Sequence, residues 1–177
     1  MTDNYYPPGA FYFSVAVIGS GSILSLLTGI DASFQEVSGI QSEFGFEDVG
    51  EGGENRYKHR LPLPAKYSNL VLRRGVVTTD SFLSEWVGQT IGSSLSLPII
   101  TQNLLVTLLN DDGIPLIAWG FVNAYPLKWE FSAMNSQENK ILTEKMEFTY
   151  NYFERVTLGS PASVAVKLAQ LAARMAL

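Results

Sequence analysis

A chain of 177 residues in which 46 % of side chains are hydrophobic and only 16 % charged is long enough for one well-buried domain, short for two, and sparse in charge beside the roughly 25 % usual in soluble domains. Its 12 basic against 17 acidic side chains leave a net charge of −5, which argues against a general affinity for nucleic-acid phosphates. The absence of cysteine excludes disulfides, thiolate metal sites and thiol nucleophiles, and fits synthesis in a reducing compartment.

The N-terminus lacks the basic region and apolar core of a secretory signal, and no apolar run of about 20 residues is present to span a bilayer. An aromatic, proline-rich arm occupies residues 5–9. Phe11, Phe13, Val15 and Val17 then alternate with Tyr12, Ser14, Ala16 and Ile18, which predicts a strand apolar on both faces and therefore covered on both. A Gly-Ser-Gly-Ser break at 19–22 leads into the greasy stretch 23–30. It is expected to be a short helix or loop whose Ile23, Leu24, Leu26, Leu27 and Ile30 fold back on the core or dock on a partner. A second strand resumes near Phe34, with Gly39 placed to form a bulge.

Residues 47–55 are acidic and glycine-rich, and 56–60 are basic. The expectation is an exposed, extended loop with opposite charges on its two limbs. The Leu-Pro-Leu-Pro run at 61–64 favours extended backbone, and 69–74 reads as a short strand. Asp80 or Ser81 can cap a helix in which Phe82, Leu83, Trp86 and Val87 share a face and which Gly88 is expected to end.

Two apolar runs flank Asn110, Asp111, Asp112 and Gly113, so residues 104–130 read as a β-hairpin turned at a glycine. On its second strand Ile117, Trp119 and Phe121 form a bulky face, while Ala118, Gly120, Val122 and Ala124 form a small one. The bulky face suits a core; the small one lets another layer or another chain lie close. Pro126 should mark the strand's exit. From 142 to 152 the alternation predicts a long strand with one polar face, broken only by Ile141 and Glu144. Ser160 and Pro161 can start a final helix with an apolar stripe of Val164, Leu168, Leu171 and Met175, and with Lys167, Gln170 and Arg174 opposite. About seven strands and two helices make the chain mainly β: one domain over 1–160 and a helical extension over 161–177.

Catalytic chemistry finds little support. The Gly-Ser-Gly at 19–21 has Leu24 where a dinucleotide loop needs its third glycine. His59 is the single histidine, set in a basic run with no matching serine elbow. Asp111 and Asp112 are explained by turn chemistry, and Glu43, Glu47, Asp48, Glu51 and Glu54 sit among glycines that cannot hold a carboxylate pair rigidly across a cleft. No catalytic, cofactor or metal residue is therefore assigned, and Trp86, Trp119 and Trp129 are read as core.

The order of these signals resembles the inner tail-tube proteins of contractile-tailed bacteriophages and extracellular contractile injection systems. The resemblance runs through FYFSVAV at 11–17, FQEVSGI at 34–40, EGGEN at 51–55, KYSNLVLRRG at 66–75, the helix holding Glu85 and Trp86, DDGIP at 111–115, WGFVNAYPLKW at 119–129 and TEKMEFTY at 143–150. It implies an antiparallel β-barrel or sandwich with one flanking helix, to which the C-terminal helix is an addition. It further implies a structural protein, not an enzyme, made in the cytoplasm and built into a phage tail or tail-like particle. Copies would form hexameric rings that stack into a hollow tube around cargo, with sheath, baseplate or spike, and tube-terminating proteins as partners. The loop carrying Glu47, Asp48, Glu51, Glu54, Asn55, Arg56, Lys58 and Arg60 would grip the next ring. A ring at the tube's end, joining tube to spike, is the alternative within that machinery; a carbohydrate-binding β-sandwich is the alternative outside it.

Overall fold

The alternation at the start of the chain places apolar side chains on both faces of one strand, and both faces are covered. In the computed structural model, which describes residues 12–18, 30–31, 34–53, 56–77, 81–134, 140–158 and 161–175, Val15 and Val17 of strand β1 (Tyr12–Ile18) enter one core, and Ala16 and Ile18 enter a second. The other strands are β2 (Ile30–Asp31), β3 (Phe34–Ser38), β4 (Ser42–Val49), β5 (His59–Tyr67), β6 (Leu70–Gly75), β7 (Gln102–Leu109), β8 (Pro115–Phe131), β9 (Thr143–Thr149) and β10 (Tyr152–Thr157). Two helices join them, α1 (Phe82–Gly92) and α2 (Pro161–Met175).

Every pairing is antiparallel, as the mainly β reading requires. The sheet runs in the order β2-β1-β7-β8-β9-β6-β3, with β10 also on β8, and β4-β5 form a separate ribbon. Strand β8 is 17 residues long and serves both halves of the sandwich. Its first part pairs with β7 and β10, and its last part, from Tyr125, pairs with β9. Pro126 does not end it. The ladder absorbs the proline by shifting register between Pro126 and Lys128.

The larger core lies between the two halves, where Leu70, Leu72, Leu83, Val87, Leu104, Phe121, Met146 and Phe148 are buried. Burial of each such side chain contributes about 1.5–3 kcal/mol. Helix α1 enters this core through Leu83, Trp86 and Val87, while Phe82 faces out. The Ser81 hydroxyl caps it by accepting from the Ser84 N–H. Gly88 does not stop the helix. A Cβ there would sit 3.4 Å from the Trp129 ring, so the glycine answers a close approach to β8, and the helix continues to Gly92.

The smaller core shows what the small face of β8 is for. Leu171 and Met175 of α2 pack on Ala118, Val122 and Leu158, and a Cβ on Gly120 would run into Met175 Sδ. Ala124 departs from that face. Asn123 takes φ +53° and the ladder shifts register opposite it, so the alternation flips and Ala124 joins the larger core. Asn103 fixes both features: its Oδ1 accepts from the Asn123 N–H (2.9 Å) and its Nδ2 donates to the Met175 carbonyl (3.0 Å). The proposed cap residue of α2, Ser160, lies outside the described residues, as do residues 19–29.

The strand expected over 142–152 is two collinear pieces. Pairing of Tyr125 with Thr149 and of Val122 with Tyr152 keeps one register along β8, and the pause at Tyr150 and Asn151 faces the Asn123 bulge. The alternation is as expected, with Glu144, Met146, Phe148 and Tyr150 inside. Glu144 is accommodated by Arg74, itself buried. Arg74 Nε donates to Glu144 Oε1 (2.6 Å), Arg74 Nη2 reaches the hydroxyls of Ser81 (2.7 Å) and Ser84 (2.6 Å), and Trp129 Nε1 donates to Glu144 Oε2 (3.0 Å).

Candidate assembly interface

Of the acidic and basic limbs expected to form a loop, residues 47–49 and 59–60 are the outer ends of two paired strands, and the described residues 50–53 and 56–58 lie in the connection between them. The register that joins Ser38 to Val71 across β3 and β6 also joins Ser42 to Tyr67 across β4 and β5, so the four strands make one long ribbon. The ribbon pauses at Gly39, whose φ is +84° and whose missing Cβ makes room for the Asn69 carbonyl. The bulge expected at Gly39 lies earlier, between Phe34 and Glu36. Beyond the pause the ribbon leaves the sandwich.

On this outer part Glu47 and Asp48 lie in β4 opposite Leu61 and Arg60. One pair of opposed charges meets within the hairpin, with Arg60 Nε 3.5 Å from Asp48 Oδ1, and the His59 ring approaches Glu51, Nε2 lying 3.5 Å from Oε1. Arg60 also lies over the Phe46 ring, 4.8 Å from its centroid. Arg56 and Lys58 lie on the exposed approach to β5, and Glu54 and Asn55 fall outside the described residues. Such solvated pairs contribute about 0–1 kcal/mol. Ile23, Leu24, Leu26 and Leu27 are likewise outside the described residues, and Ile30 opens β2 opposite Ala16.

What the charge-based reading of the loop missed is apolar. Phe44 is 73 % exposed, Phe46 56 % and Leu61 52 %, with Tyr57 and Leu63 beside them. Large apolar side chains gathered on a protruding ribbon mark a contact surface. The signal lay in Phe44 and Phe46, which alternate with Glu43, Gly45 and Glu47. Pro62 and Pro64 lack N–H donors and suit a strand with an open edge.

Other edges are also open among the described residues. Strand β3 pairs on one side only, with β6, and the last part of β8 pairs only with β9. The outer face of β3, β6, β9 and this part of β8 is polar and carries both signs. Arg73 stands 3.9 Å from Glu36, Glu147 accepts from Asn69 Nδ2, and Lys128 donates to Glu130 (2.6 Å). That last hydrogen bond holds the Glu130 carboxyl below its ordinary range and the Lys128 amine above its own. Among the described residues no group of three histidine, aspartate or glutamate side chains is placed to hold a metal ion, and no helix is long and apolar enough to cross a membrane.

The model of the T4-like virus tail tube protein gp19 family matches residues 9–154. The chain belongs to that family. Its fold is also that of several solved structures at low identity. A chain in the anti-feeding prophage baseplate is 23 % identical over 88 % of this chain and 99 % of its own, with TM-score 0.73. A chain in the sheath-tube complex of the extracellular contractile injection system PVC is 21 % identical over 86 % of this chain and 93 % of its own, with TM-score 0.69. Hcp1 from Flavobacterium johnsoniae is 17 % identical over 83 % of this chain and 96 % of its own, with TM-score 0.50. No curated protein matches. Membership of a tail tube family gives the chain a structural role in a tube.

Proposed function

We propose that this chain is the repeating wall subunit of the inner tube of a contractile injection system or phage tail, forming hexameric rings that stack into a hollow conduit for cargo. The observation that carries the reading is the pair of strand edges, unpaired among the described residues, at the two sides of one four-strand layer. In the order β8-β9-β6-β3, three antiparallel steps leave β3 antiparallel to β8. Copies set side by side around an axis therefore offer β3 of one to β8 of the next with the correct polarity, and closure removes the edges. The polar face of that layer then lines the lumen, and α2 lies on the far side of the sandwich, toward the sheath.

The ribbon of β4 and β5 crosses to the adjacent ring, where Glu47, Asp48, Glu51, Glu54, Asn55, Arg56, Lys58 and Arg60 form the polar rim of the contact and Phe44, Phe46 and Leu61 its apolar centre. Negative-stain microscopy and light scattering of the purified protein test this. Rings and tubes are expected; a stable monomer at high concentration overturns it. Replacing both Phe44 and Leu61 with aspartate should abolish tubes while leaving thermal unfolding within about 1 kcal/mol of wild type, because both side chains are exposed already.

A further inference from the structure

A contact that propagates along an axis needs two different surfaces, one at each end of the subunit. The β4–β5 ribbon supplies one. Because β4 continues β3 and β5 leads into β6 in one register, the ribbon leaves the sandwich from the end where Leu70 meets Phe148. At about 3.3 Å per residue, β4 reaches roughly 26 Å beyond it. The opposite end of the same layer is where Gly75 meets Thr143 and Phe131 meets Glu144. There Met134 is 78 % and Ile141 77 % exposed, and Phe131, Phe82 and Val77 are exposed beside them.

Local bonds hold these side chains at that end. Val76 N–H donates to the Leu142 carbonyl and Ser132 N–H to the Thr143 carbonyl. Phe82 follows Ser81, which is held to Arg74. This end thus presents a ready-made apolar surface and the ribbon an apolar finger, and one subunit's architecture holds them apart at opposite ends.

We infer that the surface formed by Phe131, Met134 and Ile141, with Val77 and Phe82, is the seat for the β4–β5 ribbon of a second copy of this chain. The occupant is another copy because the two surfaces match in chemistry, lie at opposite ends of one strand direction, and meet head to tail without closing. A further apolar stretch, Leu95, Leu97, Ile99 and Ile100, is exposed too. It is tied by the Trp86 Nε1–Ile100 carbonyl hydrogen bond to the middle of α1 rather than to that end, and it serves as the control. The inference rests on the tube reading above.

The chain has no cysteine, so single replacements at exposed positions report contacts cleanly. Leu61→Cys protein is mixed with Met134→Cys or, separately, with Leu97→Cys; each mixture is allowed to assemble and is oxidised. A disulfide requires Cα atoms within about 7 Å, so a cross-linked dimer is expected on a non-reducing gel for the Met134→Cys mixture and not for the Leu97→Cys mixture. Native mass spectrometry and microscopy of the same samples report rings and tubes. Tubes without the Met134→Cys cross-link, or with the Leu97→Cys cross-link in its place, overturn this seat and leave the tube reading standing. Failure of every sample and of wild type to form rings or tubes overturns the tube reading and the seat with it.

Discussion

The inner and outer halves of one ribbon obey the same pairing and meet opposite fates. Across β3 and β6 the strands carry Leu70 and Leu72, which are wholly buried; across β4 and β5, which take up the same register at Ser42 and shift it once between Phe44 and Phe46, they carry Phe44 and Leu61, which are mostly exposed. Backbone pairing is therefore not what separates them. The inner half is completed by its own chain, and the outer half stands exposed, which is the surface proposed above for contact with another copy.

Ion pairs offer the widest contrast between the halves. Arg74 and Glu144 meet at 2.6 Å with both side chains buried, whereas Arg60 and Asp48 meet at 3.5 Å with both largely in solvent. Arg74→Met leaves the Glu144 carboxylate buried without its cation and strips a donor from Ser81 and Ser84, so urea unfolding should show a loss of about 3–5 kcal/mol. Arg60→Met should cost at most about 1 kcal/mol. Equal losses would break the distinction drawn between the halves.

The joint between the halves comes next in size. Gly39→Ala places a Cβ against the Asn69 carbonyl at a positive φ that L residues rarely adopt, and strain of this kind costs about 1–3 kcal/mol. Because the strain falls where the ribbon leaves the sandwich, tube assembly should suffer more than the folding midpoint. Circular dichroism melts set beside tube yields by microscopy check this; a large stability loss with normal tubes would show that the joint does not aim the ribbon.

The legibility of the chain follows the same divide. Alternation made β1, β7, β8 and β9 readable, because one-sided or two-sided burial writes itself into every second residue. The places where the reading slipped are those where a partner element overrode local preference. Pro126 stays in its strand because β9 can shift register around it, Gly88 stays in its helix because Trp129 needs the space, and Ala124 changes face because Asn123 is bulged and held by Asn103. Glu144 was visible as a break in the pattern, but its partner Arg74 is 70 residues away and carries no local mark. On the outer ribbon Asp48 and Arg60 pair with each other inside the hairpin, and the apolar Phe44, Phe46 and Leu61 beside them are exposed. A single chain's sequence does not distinguish an apolar residue bound for its own core from one bound for a neighbour's.

The smallest effect tests whether the inner half is as fully satisfied as its burial implies. Tyr150, at the pause between β9 and β10, lies edge-on to Phe121 and close to Tyr67 and Phe153, and its buried hydroxyl meets no hydrogen-bond partner among the described residues. Burial, with a smaller contribution from Tyr67, pushes its pKa up to about 12. In the unfolded chain a tyrosine ionises near 10. The folded state therefore keeps the proton that the unfolded state gives up, so the stabilisation tied to this group is intact below about pH 10 and is lost as pH rises toward 12. Tyr150→Phe should leave stability at pH 7 unchanged or raised by up to about 1 kcal/mol, since no hydrogen bond is forfeited. Its advantage over wild type should widen between pH 10 and 12. Urea melts of the two proteins across that range measure the difference directly, and a loss at pH 7 would mean that the hydroxyl has a hydrogen-bond partner in the folded chain.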